Sequence, residues 1–240
     1  MNPGIVDWHV SYGFSPRQRV DASRERVEKL LAAHGVGIAL MHHLEGLWYD
    51  PLSGNEALLT AFAGTPHVPV CTVNPLEGEE RCRRAFAEAR DRGARFWRLY
   101  PKEQGWDMGH PVAALILDLL REGRCCLLMD SDAKGIQAAL DLARDEVPVV
   151  GSLHFYDSAD WSLRLRPYRS FYPTTRLLHG PGTLRETARI FGDRLLFASG
   201  APFGAVASSL ALLDEVGEAV RERTLRGNAR ELLGRFGHGD

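Results

Sequence analysis

Five of the nine histidines, His9, His42, His43, His154 and His179, fall at the ends of short apolar runs or just beyond them. Asp7, Glu45, Asn74, Asp130, Asp132 and Thr175 sit at equivalent places, and Arg98 and Tyr100 close the run Arg95–Tyr100. Imidazole ligates metals and moves protons near neutral pH, because its pKa lies near 6.5. A guanidinium grips a carboxylate through two parallel hydrogen bonds. Histidines together with Asp130 on one rim would suit a hydrolytic or lyase site. A lone histidine at a strand end is more often a structural hydrogen-bonding neighbour, so the case rests on the group. His42 and His43 are adjacent, and in a continuous strand only one of them faces inward.

The elements that must carry these residues alternate along the chain. Strands are expected at Ile5–His9, Gly37–Met41, Val68–Val73, Arg95–Tyr100, Cys125–Asp130, Val147–His154, Ser170–Thr174 and Arg194–Ser199. Pro173 makes the seventh the weakest. Helical spacing recurs between them, at Val27, Leu30, Leu31 and His34, at Cys82, Ala85, Phe86 and Ala89, and at Ile136, Ala139, Leu140 and Ala143. Pro111 opens another helix carrying Val112, Leu115, Ile116 and Leu119, and a last one runs Val206, Leu210, Leu213, Gly217 and Val220. Gly35, Gly93 and Gly123 are placed as left-handed helix caps, and Asn228 as an N-cap with Glu231 at N3. Eight strand–helix units in 240 residues predict an α/β fold of the compact (β/α)8 TIM-barrel type, for which about 250 residues are typical. A doubly wound sheet would show a Gly-rich turn after its first strand, and His9–Gly13 has none. No linker interrupts the chain, so residues 1–240 are read as one barrel domain.

Composition narrows the partners. With 45% hydrophobic residues and a net charge of −2, the chain is not disordered and has no field to capture nucleic acid. The 26 arginines against 3 lysines read as a G+C-rich bacterial genome, since the arginines are interleaved with acids. The run Val112–Leu120 is too short to span a membrane, and Met1–His9 lacks the pattern of a signal peptide. Cys71, Cys82, Cys125 and Cys126 form no CxxC pair and read as reduced, buried thiols of a cytoplasmic protein. Aromatic side chains at the surface would suit a homo-oligomer.

Asp7-Trp8-His9-Val10, Gly35–Leu40, Val73-Asn74-Pro75, Gly93–Pro101, Gly192–Pro202 and Gly227–Leu233 follow one another in an order and spacing that resembles the amidohydrolase-related, metal-dependent TIM-barrel hydrolases. The resemblance implies a metal held by two histidines of strand 1, a histidine of strand 5 and an aspartate of strand 8. His9 matches the first of these. Ser11, Asp130 and Gly200 stand where the other three belong, and His154 matches the strand-6 histidine. A catalytic zinc wants three protein ligands and an open position, so the usual site is incomplete. The resemblance then implies a hydrolase or related lyase acting on a small polar, carboxylate-type substrate. His154 and Asp130 are its candidate catalytic residues, and Arg98, Tyr100 and His42 its candidate substrate contacts. His9 and Asp130 are the candidate ligands of one zinc-like divalent metal. The alternative is a catalytically inactive, metal-free relative that binds a small ligand or serves a structural role.

Overall fold

The computed structural model describes residues 4–238. Seven parallel strands pair in chain order: β1 (Ile5–Tyr12), β2 (Val36–His43), β3 (Val68–Thr72), β4 (Phe96–Leu99), β5 (Cys126–Asp130), β6 (Val149–Ser152) and β7 (Phe171–Pro173). Helices follow the strands, and most bury the face that the spacing predicts; in Pro111–Glu122 the buried face is turned by one residue, to Ala113, Ile116, Leu117 and Leu120, and leaves Val112, Leu115 and Leu119 half-buried. Glu79–Asp91 buries Cys82, Ala85, Phe86 and Ala89, and Phe86 stacks on Trp97 of β4 at 3.8 Å. Pro111 is the first residue of its helix, and the His110 ring caps it by accepting from the Val112 amide. Because strand side chains alternate, the sheet separates two cores. Val6, Trp8, Leu40, Val70, Phe96, Leu128 and Tyr172 pack inside the curl of the sheet. Val10, Met41, Cys71, Trp97, Leu127 and Val149 pack outside it, under the helices. Cys125 joins the outer core and Cys126 the inner one, and all four cysteines are buried and unpaired.

The expected eighth strand, Arg194–Ser199, does not form as a strand. Residues 195–201 run between the two edges of the sheet and make only single bridges, Thr174 to Leu196 and Val10 to Ala201. On one side the Leu196 amide donates to the Pro173 carbonyl and the Thr175 amide to Leu196, both at 2.9 Å. On the other, the Trp8 amide donates to Phe197 at 2.9 Å and the Gly200 amide to His9 at 3.0 Å. Other amides of the segment are diverted from a ladder. Phe197 donates to the Thr224 carbonyl, Ala198 to the Thr175 hydroxyl and Ser199 to the Asp7 carboxylate. The firm description is therefore a curled seven-stranded parallel sheet with its helices, its edges joined by an irregular segment.

Three local expectations need correction. Gly35 and Gly93 adopt positive φ, but Gly123 is right-handed and the left-handed residue is Arg124, at φ 50°. The helix expected over Val206–Val220 breaks into Val206–Leu212, a 3-10 turn at Leu213–Glu215 and Glu218–Glu222, with an extended Val216 between them. Asn228 is not an N-cap. It lies within helical backbone as the first residue of Asn228–Gly234, and its amide donates to the Gly192 and Leu195 carbonyls at 2.9 Å each. It thus pins the start of the 195–201 segment.

Asp7 ties that segment to β1. Its fully buried carboxylate accepts from the His9 amide at 3.1 Å, the Ser199 amide at 3.0 Å and the Ser199 hydroxyl at 2.5 Å. Burial raises its pKa from 3.8 to about 6 against the opposing pull of these hydrogen bonds. The folded state therefore holds this proton more tightly than the unfolded chain. The Asp7 contribution to stability is fully present below about pH 4 and falls as pH rises towards 6, by about 3 kcal/mol in all. Unfolding free energies of wild type minus Asp7→Asn should show this slope between pH 4 and 6, and a flat difference curve would refute it. Asn228→Ala should lower stability by about 1–3 kcal/mol, read from urea unfolding, because two buried carbonyls lose their donor.

Candidate active site

One rule of geometry brings the polar residues together. Along each strand the inward apolar residues are followed, two positions on, by a polar one. Leu40 leads to His42, Phe96 to Arg98, Leu128 to Asp130, Val150 to Ser152, and Tyr172 to Thr174 and then Arg176. These polar ends meet over the inner core. In β1 simple alternation would send Val10 inward and His9 outward. The pairing of β1 with β2 slips between Asp7 and Val10, where three steps on β1 match two on β2. This bulge turns His9 and Ser11 into the site and leaves Val10 in the outer core.

Asp130 lies at the centre. Arg98 Nη2 donates to its Oδ2 at 2.7 Å, and Arg176 Nη1 reaches the same oxygen. Both guanidiniums also lie on His9, with Arg98 Nη2 2.6 Å and Arg176 Nη1 3.3 Å from Nδ1. A guanidinium only donates, so His9 Nδ1 accepts and the proton of the neutral ring is assigned to Nε2. Burial and then the positive charges of Arg176 and Arg98 hold the His9 pKa well below 6.5. His42 is held well below it too, by burial and then Arg98. Burial alone would raise the Asp130 pKa, but Arg98 and Arg176 outweigh it and keep the carboxyl ionised down to about pH 2. At Asp130 itself two permanent positive charges thus face one negative charge, while the cleft around it carries Glu103, Asp107, Asp132 and Asp157 against Lys102 and Lys134.

The residues singled out by sequence divide between the front and the back of this cluster. Asp130, Ser152, His154 and Arg176 line a cleft of about 860 Å³, with Trp106 and Met108 among its apolar walls. His154 is half-buried there, its ring stacked on Tyr156 at 4.3 Å. Arg98 is 2% exposed and sits behind Asp130, whereas the Arg176 side chain is 28% exposed and faces the cleft. His42 and Tyr100 lie deeper, outside the cleft lining, with their rings 5.9 Å apart. His42 Nε2 pairs with the Ser11 hydroxyl at 2.7 Å, while its Nδ1 and the Tyr100 hydroxyl are buried without hydrogen-bond partners among the described residues. His43 points away, against the Tyr12 ring at 4.5 Å, so His42 is the inward member of the pair. His179 is exposed and lies outside the cleft lining. Sequence reasoning did not pick out Arg176. The signal available was the period-two continuation Tyr172, Thr174, Arg176 beyond Pro173.

The donors present do not fit a metal as arranged. His9 Nδ1 and Asp130 Oδ2 are 3.8 Å apart, a spacing that two ligands of one ion could have. Arg98 Nη2, however, stands within hydrogen-bond range of both atoms. Ser11 is taken by His42, and Gly200 offers no side chain. Among the described residues no group of three His, Cys, Asp or Glu side chains could hold an ion.

No protein-family model matches the sequence, and no curated protein does. Solved structures do match its fold. A Pseudomonas putida protein assigned as a 2-pyrone-4,6-dicarboxylic acid hydrolase has a TM-score of 0.73 over 98% of this chain and 99% of its own, at 18% identity. A 5-carboxyvanillate decarboxylase from Novosphingobium aromaticivorans, complexed with manganese and 4-hydroxy-3-methoxy-5-nitrobenzoic acid, has a TM-score of 0.74 over 97% and 96%, at 13% identity. The Metarhizium anisopliae IDCase has a TM-score of 0.74 over 98% of each chain, at 13% identity. The structural neighbours of this chain are amidohydrolase-related enzymes, and what it shares with them at these identities is the fold.

Proposed function

We propose that the protein is a hydrolase or related lyase that acts on a small carboxylate-bearing molecule in the 860 Å³ cleft. The observation that carries this reading is the excess guanidinium charge at the cleft floor. Arg176 is the anion contact, because it is the guanidinium open to the cleft. Asp130 and His9 hold it in place, and Arg98 pairs with the same two atoms from behind. His154 moves the proton, since it lines the same cleft and is not tied to the guanidinium cluster. His42 and Tyr100 support the floor rather than touch the ligand. The dicarboxylic acid in the name of one neighbouring enzyme and the nitrobenzoic acid bound to another support the carboxylate class. The 195–201 segment is taken as the eighth stave of a (β/α)8 barrel, and the whole chain as one domain. Four unpaired buried thiols support a reducing compartment such as the cytoplasm. Among the described residues no helix is long and apolar enough to cross a membrane.

A second reading has its own observation. Asp130 and His9 are both engaged by guanidiniums, so neither is available as a base. If His154 also transfers no proton, the protein binds its ligand without converting it.

Isophthalate is a suitable dicarboxylate for the binding test. At about 100 times its Kd a bound ligand adds about 2.7 kcal/mol, which raises the Tm of a chain this size by roughly 5–10 °C. Arg176→Met should abolish the shift, and an equal shift in that variant would remove Arg176 from the anion site. Turnover is separated by His154→Asn, assayed with 2-pyrone-4,6-dicarboxylate and 5-carboxyvanillate as trial substrates. Loss of a general acid–base should slow product formation by about 10²–10⁴-fold with the isophthalate shift intact. Undiminished turnover in His154→Asn would overturn the role of His154, and binding without turnover in wild type would favour the second reading.

A further inference from the structure

We infer that Arg98 and Arg176 together occupy the seat of a divalent metal, as a built-in cation that makes the site metal-independent, and that Gly200 is the position that makes room for it. The argument begins with charge. A divalent ion on Asp130 would leave one net positive charge, and so do two guanidiniums on the same carboxylate. Geometry agrees with the charge. His9 Nδ1 and Asp130 Oδ2 face each other across 3.8 Å, and Arg98 Nη2 stands 2.6 Å from one and 2.7 Å from the other. Arg176 Nη1 meets the same two atoms from the cleft side. A cation entering this gap would have to displace both guanidiniums.

Gly200 explains how Arg176 arrives there. Its φ is 73°, and a Cβ built on it would stand 3.0 Å from Arg176 Nε and 3.5 Å from its Cδ. A side chain at position 200 would therefore press on the Arg176 side chain from its first atom. The missing carboxylate at 200 and the arginine at 176 are two halves of one exchange. A fixed guanidinium offers an incoming anion hydrogen bonds as well as charge, and it needs no loading from solution.

The test reads metal content and stability, and it decides the inference whether or not a carboxylate binds in the cleft. Wild-type protein held in excess zinc and then desalted should carry well under one zinc per chain, and a chelator should leave its Tm unmoved. One zinc per chain, lost in His9→Ala, would overturn the inference. In Arg98→Ala/Arg176→Ala the two like charges no longer oppose an ion between His9 and Asp130, and zinc affinity by titration should rise at least about tenfold. Arg98→Gln leaves Asp130 paired with Arg176 and serves if the double variant does not fold, with a rise in the same direction. A folded variant that takes up zinc no better than wild type would show that the guanidiniums are not what excludes the metal.

Discussion

A single buried carboxylate sets the geometry of this protein. Asp7 lies in the first strand with no access to solvent, and a charge in that position demands donors on every side. It finds them at the His9 amide, two residues on, and at the amide and hydroxyl of Ser199, 192 residues away. The near contact accompanies the bulge that turns His9 inward. The far contact draws the 195–201 segment against β1. One group thus aims a site residue and joins the edges of the sheet.

Joining the edges is what makes the site. Arg176 follows β7 and Gly200 lies next to β1, so the two meet over Asp130 only when the sheet curls onto itself. The resulting cluster inverts the ordinary behaviour of its members. Two histidines that would be half-protonated near pH 6.5 are kept neutral by burial and neighbouring guanidiniums. Asp130 stays charged despite burial because it is doubly paired. His154 stands apart from this cluster, on the cleft wall.

Much of this was legible in the residues. Period two along the strands already implies that His42, Arg98 and Asp130 share a face with the inner apolar residues, and helical spacing found the buried face of Glu79–Asp91, though in Pro111–Glu122 it found only Ile116 of the buried face. What escaped were features set by distant partners. The bulge shows only in the pairing of β1 with β2, where three steps match two, and no local pattern announces it. The irregular eighth segment depends on amides drawn off by Thr224, Thr175 and Asp7. Asn228 has the composition of a cap, yet two carbonyls across the chain outbid that local role. Arg176 lies beyond a proline where strand reasoning stops, although side-chain alternation continues past it.

The close approach of Arg176 to Gly200 also constrains how such a site can change over generations. An aspartate introduced at 200 in this background presses its Cβ against Arg176 Nε at 3.0 Å and sits on a backbone that disfavours side chains. Removing Arg176 first leaves Asp130 and His9 with only Arg98 and creates no metal ligand. Changing 176 and 200 together would still leave Arg98 between His9 and Asp130. The two positions are thus coupled through their contact, and a change at 200 is felt first by Arg176.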